Sequence, residues 1–214
     1  MKRPVKEWTV RILLLLAGLV TAHLGVTLFL LTELGSDPFN VLIQGLFRTS
    51  SSITGWGFLT HGRVHIAVSL LIILVLLLTD RSYVKIGTLI CMVFGGPIID
   101  FFTMLLNPLD LQLSPLPVRI AVLAAGCVIL AFGMTVVIKS DAGTGPNDLV
   151  AIVLSDKLHK KFSIIRMLVD LSFVGIGWLL GGTFGVGTLI CAFLIGPVAG
   201  FFLPVSEKLV NRFL

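Results

Sequence analysis

Four almost uninterrupted apolar stretches, at residues 12–31, 64–78, 121–138 and 164–180, approach or reach the ~20 residues that a helix needs to cross a bilayer. Few soluble folds can hide stretches of that length. Hydrophobic residues make up 56% of the chain and charged residues 13%, against about 25% charged in a soluble domain. A chain of 214 residues could build a soluble core, but this one could not cover it with polar side chains. The composition specifies an integral membrane protein whose first partner is the lipid bilayer.

The net charge of +5 does not point to nucleic acid. The basic residues sit at the ends of the apolar stretches, where cytoplasmic loops carry Lys and Arg. Lys2, Arg3, Lys6 and Arg11 therefore place the N-terminus in the cytoplasm. The first apolar stretch is too long for a signal-peptide core and no small-residue cleavage site follows it, so it is expected to be a retained helix. The three cysteines all lie in apolar stretches and give no disulfide framework; they read as small packing residues.

The chain also says nearly the same thing twice. Gly87-Thr88-Leu89-Ile90-Cys91, Gly96-Pro97 and Phe101-Phe102 return as Gly187-Thr188-Leu189-Ile190-Cys191, Gly196-Pro197 and Phe201-Phe202, with nine of sixteen positions identical. Gly25, Thr27, Gly35 and Pro38 recur 108 residues later as Gly133, Thr135, Gly143 and Pro146. Two units follow, residues 1–112 and 113–214. In an apolar chain such duplication is a signature of transporter folds, where the site lies between the repeats.

Each unit is expected to hold a long helix (residues 10–32 or 118–138) and a Gly-Pro turn opening a short segment (38–47 or 146–158). A second long helix follows (64–79 or 164–180), then the helix with the repeated motif (84–106 or 186–203). An insertion between Ser50 and Gly57 lengthens the first unit, and residues 107–117, with three prolines, link the two. Ten to thirteen helical residues span only ~15–20 Å of the ~30 Å hydrocarbon core. The fold class is therefore an all-α polytopic membrane protein. Each repeat has three transmembrane helices plus a half-helix or re-entrant segment, making six crossings with inverted repeats. If the short segments cross, the count is eight and the repeats are parallel. Either way both termini are inside with thirteen of sixteen Lys/Arg, so charge does not choose between the two.

The strongest local features are the turns Gly35-Ser36-Asp37-Pro38-Phe39-Asn40 and Gly143-Thr144-Gly145-Pro146-Asn147-Asp148. Glycine can end the preceding helix in the left-handed region, proline suits the first position of the next, and Asp37 can cap it. Helix starts of this kind expose N–H groups and the positive end of the dipole, which transporters aim at substrates; they are also ordinary caps. Asn40 and Gln44 share one face of the first short segment, and Asn147 and Asp148 open the second; these groups line a pathway or face interfacial water.

Charges within apolar stretches mark a bundle interior with a partner. Arg166 and Asp170 stand four apart and can pair, although Arg166 is near enough to a helix end to snorkel. Asp100 breaks the repeat, since Gly200 stands at its equivalent. The candidate substrate-binding residues are thus Asp37, Asn40, Gln44, Asp100, Asn147, Asp148, Arg166 and Asp170, with Asp100 expected where the two half-helix starts meet. His23 fits a proton relay or an interhelical hydrogen bond. His61 and His65 share a helix face without a third ligand, so no metal site is assigned. No cofactor is expected, and no catalytic residues: metalloprotease, nucleophile-elbow and phosphate-loop motifs are absent.

The Gly-x-x-Pro turns, the short polar segments and the Gly-Thr-Leu-Ile-Cys/Gly-Pro helices resemble the YczE/YyaS/YitT group of bacterial integral membrane proteins, nearest its YczE-like members, over nearly the whole chain. The resemblance implies the bacterial cytoplasmic membrane, and links of YczE-like members to secondary-metabolite production imply a regulatory alternative. It carries no catalytic residues. The chain runs only about ten residues past its last expected helix, so the C-terminal soluble domain of YitT-like members is not expected. The expected function is a secondary-transporter-like permease for a small polar or anionic molecule, proton-coupled through Asp100 or Asp170. The alternative is a membrane regulator or substrate-capture subunit. A homodimer or a partner membrane protein is compatible with both, and nucleic acid with neither.

Overall fold

Eight α-helices carry the fold of the computed structural model, which describes residues 4–55 and 59–214 apart from the side chain of Thr54. They are α1 Val5–Leu31, α2 Pro38–Thr54, α3 His61–Thr79, α4 Ile86–Leu106, α5 Leu116–Ser140, α6 Pro146–Leu158, α7 Phe162–Leu179 and α8 Val186–Asn211. Lys2, Arg3 and residues 56–58 of the expected insertion lie outside the described residues. Among the described residues six helices are long and apolar enough to cross a membrane: α1, α3, α4, α5, α7 and α8.

α1 and α5 run antiparallel. At one end Arg11 donates to the Ser140 carbonyl at 2.8 Å; at the other, Arg119 donates to the Thr32 carbonyl at 2.6 and 2.8 Å. Both arginines close an otherwise open helix end, since the last carbonyls of a helix have no partner within it. Antiparallel α1 and α5 are what six crossings require and eight forbid. The core sits where α8 joins this pair, around Phe29, Leu123, Cys127, Ala131, Cys191 and Ile195.

The two short helices are positioned by an exchange between halves. The N–H of Gly187, at the start of α8, donates to the Leu34 carbonyl before α2 at 2.9 Å. The N–H of Gly87, at the start of α4, donates to the Ala142 carbonyl before α6, also at 2.9 Å. These approaches need the glycines in the turns. Gly35 and Gly143 have φ of 148° and 134°, which other residues rarely adopt. A Cβ on Gly143 would also sit 2.5 Å from the Thr88 nitrogen. Each turn thus carries the chain back into the bundle before Pro38 or Pro146 opens the next helix.

α2 is longer than its expected span of 38–47. It continues through Arg48 and the serines to Thr54, where Gly55 ends it with φ of 62°. Arg48 and Thr49 tie this extension to the Gly181 and Leu180 carbonyls beyond α7. Seventeen residues still span only ~25 Å. Its contacts trace a path from the interior outward. Phe39 packs on His65 and Phe173, whereas Phe47 packs on His61, one turn nearer the start of α3. α8 also outruns its expected end at 203. Pro204 does not stop it, because Ser206 bonds Thr135 and Glu207 pairs with Lys139, both on α5, at 2.8 Å each.

The halves differ in one seam. α7 packs along α8, with Ser163 and Met167 against Gly196 and Gly200; a Cβ on Gly196 would lie 2.5 Å from the Ser163 carbonyl oxygen. α3 and α4 make no equivalent seam. Gly96 faces open space, and Asp100 stands where α8 has Gly200.

Candidate functional site

The starts of α2 and α6 border a single cavity of about 330 Å³. Asp37, Pro38 and Asn40 line it from α2, and Gly145, Pro146, Asn147 and Asp148 from α6. α1 contributes His23, α3 contributes His65 and Ser69, α4 contributes Cys91, Gly95 and Gly96, and α7 contributes Arg166. Apolar side chains, among them Val26, Ile66, Met92, Ile99 and Ile195, complete the wall. A concave, mostly apolar space with a few convergent polar groups is the usual form of a small-molecule site.

The charged end is built around Arg166. Its Nη1 donates to Asp148 at 2.5 Å and its Nε to Asp170 at 3.0 Å. Arg166 is 7% exposed and Asp170 only 1%. The four-residue spacing puts Arg166 and Asp170 on one face of α7, as the sequence implied. Asp148 joins them across the bundle, from the first turn of α6. A guanidinium offers several donors in a fixed fork, so one arginine can hold two carboxylates.

The two half-helix starts are not alike. At α2, Asp37 caps the helix: its carboxylate accepts from the Asn40 N–H at 3.1 Å and from the Asn40 side-chain amide. At α6 the cap position is Gly145, which has no side chain to accept a bond, and Asp148 supplies the negative charge one turn in. A carboxylate at a helix N-terminus, whether at the cap as in α2 or in the first turn as in α6, is favourable because it complements the positive end of the helix dipole.

His23 donates through Nδ1 to the Leu19 carbonyl at 2.7 Å, since a carbonyl can only accept. Its Nε2 is then the acceptor of the neutral ring and points toward α4. A Cβ on Gly95 would lie 2.8 Å from it, so glycine is needed there. His65 packs edge-on against Phe39 with ring centres 5.3 Å apart.

Of the residues expected from sequence, Asp37, Asn40, Asn147, Asp148 and Arg166 meet at the cavity, and Asp170 lies directly behind Arg166. Gln44 does not. Its Oε1 accepts from the N–H and hydroxyl of Thr183 at 2.7 and 2.8 Å, which fixes the α7–α8 connection. Asp100 does not join the half-helix starts either. α4 borders the cavity through Cys91, Met92, Gly95, Gly96 and Ile99; Asp100, one turn beyond Gly96, is exposed and does not line it. His23, His65 and Ser69 were not among the expected site residues. The signal for the last two was available in the repeat: His65 and Ser69 precede Arg166 and Asp170 by the same 101 residues.

A second space of about 420 Å³ lies beyond the α5–α6 turn, lined by Ser82, Tyr83, Lys85, Asp141, Thr144 and Asp156 among others. Lys85 pairs with Asp141 at its edge. Thr144 lines this space and its neighbour Gly145 lines the central cavity, so one turn of chain stands between the two. The buried hydroxyls of Thr88 and Thr144 have no partner among the described residues, whereas Thr188 donates to the Ser36 carbonyl at 2.5 Å.

Residues 9–204 match a family of unknown function, DUF6198. The chain belongs to the DUF6198 family. Similar proteins include the uncharacterized membrane protein YczE of Bacillus subtilis, 30% identical over 91% of this chain and 86% of that protein. An uncharacterized protein of Haemophilus influenzae is 27% identical over 94% of this chain and 88% of its own length. The uncharacterized protein YyaS of Bacillus subtilis is 22% identical over 89% and 91%. No solved structure matches at a significant level. This DUF6198 chain is thus a multi-pass, YczE-like membrane protein, and its relatives' names assign no activity.

Proposed function

We propose that the chain is a secondary-transporter-like permease for a small polar molecule, bound between its two halves. The observation that carries this reading is the convergence of the α2 and α6 starts, with Arg166, on one cavity. Broken or half-length helices beside a cavity are how transporters bring polar backbone to the middle of a bilayer. The turn at Thr144–Gly145 divides the cavity from the second space, as a barrier on one side of a binding site would. Both termini lie in the cytoplasm in this reading, on the distribution of Lys and Arg.

Of the expected substrate classes, polar fits better than anionic, because carboxylates already occupy both half-helix starts. The test is uptake by proteoliposomes holding only this chain, with the parent compared to Asn40→Ala, Asn147→Ala and Asp148→Asn. Solute flux that each substitution reduces supports the reading. A chain that transports nothing alone and co-purifies with another membrane protein is instead a regulator or substrate-capture subunit.

A further inference from the structure

Resting on the central cavity proposed above as the binding site, we infer that its occupant is a small organic amine, held as the ammonium ion by Asp37 and Asp148. The first reason is charge. Asp37 and Asp148 line the cavity, Asp170 backs it, and Arg166 is the one guanidinium among them. Three carboxylates against one guanidinium leave two negative charges unbalanced. Uncompensated charge within a bilayer is costly, so a cation is the complement this site lacks. An anion would enter against all three carboxylates.

The second reason is independent of charge and concerns donors. The first-turn N–H of α2 and the side-chain amide of Asn40 are both spent on Asp37. Arg166 spends its Nε and Nη1 on two carboxylates. The α6 start keeps its first-turn N–H groups and the Asn147 amide, but on the α1 and α2 sides the space is lined by acceptors: the carboxylates and Nε2 of His23, whose Nδ1 is committed to Leu19. An ammonium group offers three donors and no acceptor.

Size and wall composition choose an organic cation over a bare ion. The cavity has room for about ten non-hydrogen atoms if each takes roughly the volume of a water molecule, ≈ 30 Å³. Among the described residues no three His, Cys, Asp or Glu side chains converge as a metal site. Ile66, Met92 and Ile99 offer an apolar surface for a short carbon chain.

The experiment uses the purified full chain and probes that share a tail and differ in head group: n-butylammonium, butyrate, n-butanol and 4-aminobutyrate, at constant ionic strength. Thermal unfolding midpoints are read against probe concentration. Butylammonium should raise the midpoint saturably and the other three should not. Asp37→Asn keeps a good helix cap while removing the charge, so it should fold and should need at least about tenfold more butylammonium for the same shift. Asp37→Glu should restore much of the response, and Asp148→Asn gives a second test should the Asp37 variants express poorly. Stabilisation by butyrate or by the zwitterion, an amine response unchanged in both Asn variants, or no response to any amine overturns the inference. Uptake separates this from the permease reading. Amine binding without flux leaves the inference standing and removes the permease. Flux of butyrate or 4-aminobutyrate without that of the amine does the reverse.

Discussion

Replacing Arg166 with Met is the sharpest perturbation of the buried charge network. The guanidinium is 7% exposed and holds Asp148 at 2.5 Å and Asp170 at 3.0 Å, so one substitution strands two carboxylates. Removing one partner of a buried pair costs about 3–5 kcal/mol, mostly the penalty of the charge left behind. Asp148 is partly exposed and can relax toward the cavity, whereas Asp170, 1% exposed, cannot. The expected loss is therefore near 3 kcal/mol and assigned chiefly to Asp170; for a chain of this size that is a fall in midpoint of about 6–12 °C. The assay is thermal unfolding in detergent, followed by the monodisperse fraction remaining. Lys160→Gln, at an exposed position, should change stability by less than about 0.5 kcal/mol. The double variant Arg166→Met with Asp170→Leu should recover at least about half of the loss, because an apolar pair replaces an ionic one with no charge stranded at 170. A single variant as stable as Lys160→Gln, or a double variant no better than the single, would refute the reasoning.

Three further outcomes are expected. With the native cysteines replaced, a membrane-impermeant maleimide should label Thr60→Cys and Lys160→Cys from opposite faces of the membrane; labelling of both from one face contradicts six crossings. Gly200→Val should destabilise by about 1–3 kcal/mol by pressing on Ser163, whereas Gly96→Val, with open space beside it, should be near neutral in the same unfolding assay. Arg119→Gln should cost about 1.5–3 kcal/mol, since the arginine makes two charge-assisted bonds to the Thr32 carbonyl, and hydrogen exchange should rise first at the end of α1.

What could be read from the sequence was whatever local spacing decides. Apolar length gave the crossings, Gly and Pro gave the turns before α2 and α6, and a four-residue interval gave Arg166 with Asp170. Two misjudged positions depended on facts that spacing does not contain. Asp100 reads as a site residue because it is charged in an apolar helix, but which part of α4 borders the cavity is decided by packing against α1. The reach of α2 was underestimated because its serines look like a loop, while the carbonyls that hold Arg48 and Thr49 belong to a segment 131–133 residues away. Asp148 as a second partner of Arg166 was hidden for the same reason: an eighteen-residue separation has no periodic signature.

The unequal seams have a mechanical consequence. Where α7 meets α8, backbone lies against glycine and small side chains, and such contacts resist sliding because nothing in them can rotate out of the way. Where α3 passes α4, no such lock exists, and Ile66 and Gly96 reach from the cavity wall to the outer surface. The stiffness of the molecule is therefore distributed unevenly: α1, α5, α7 and α8 form a frame, and α3 and α4 are its compliant members. That compliant side also faces the lipid through Ile66, so bilayer thickness and lateral pressure can act on the volume of the cavity from a wall that holds none of its carboxylates.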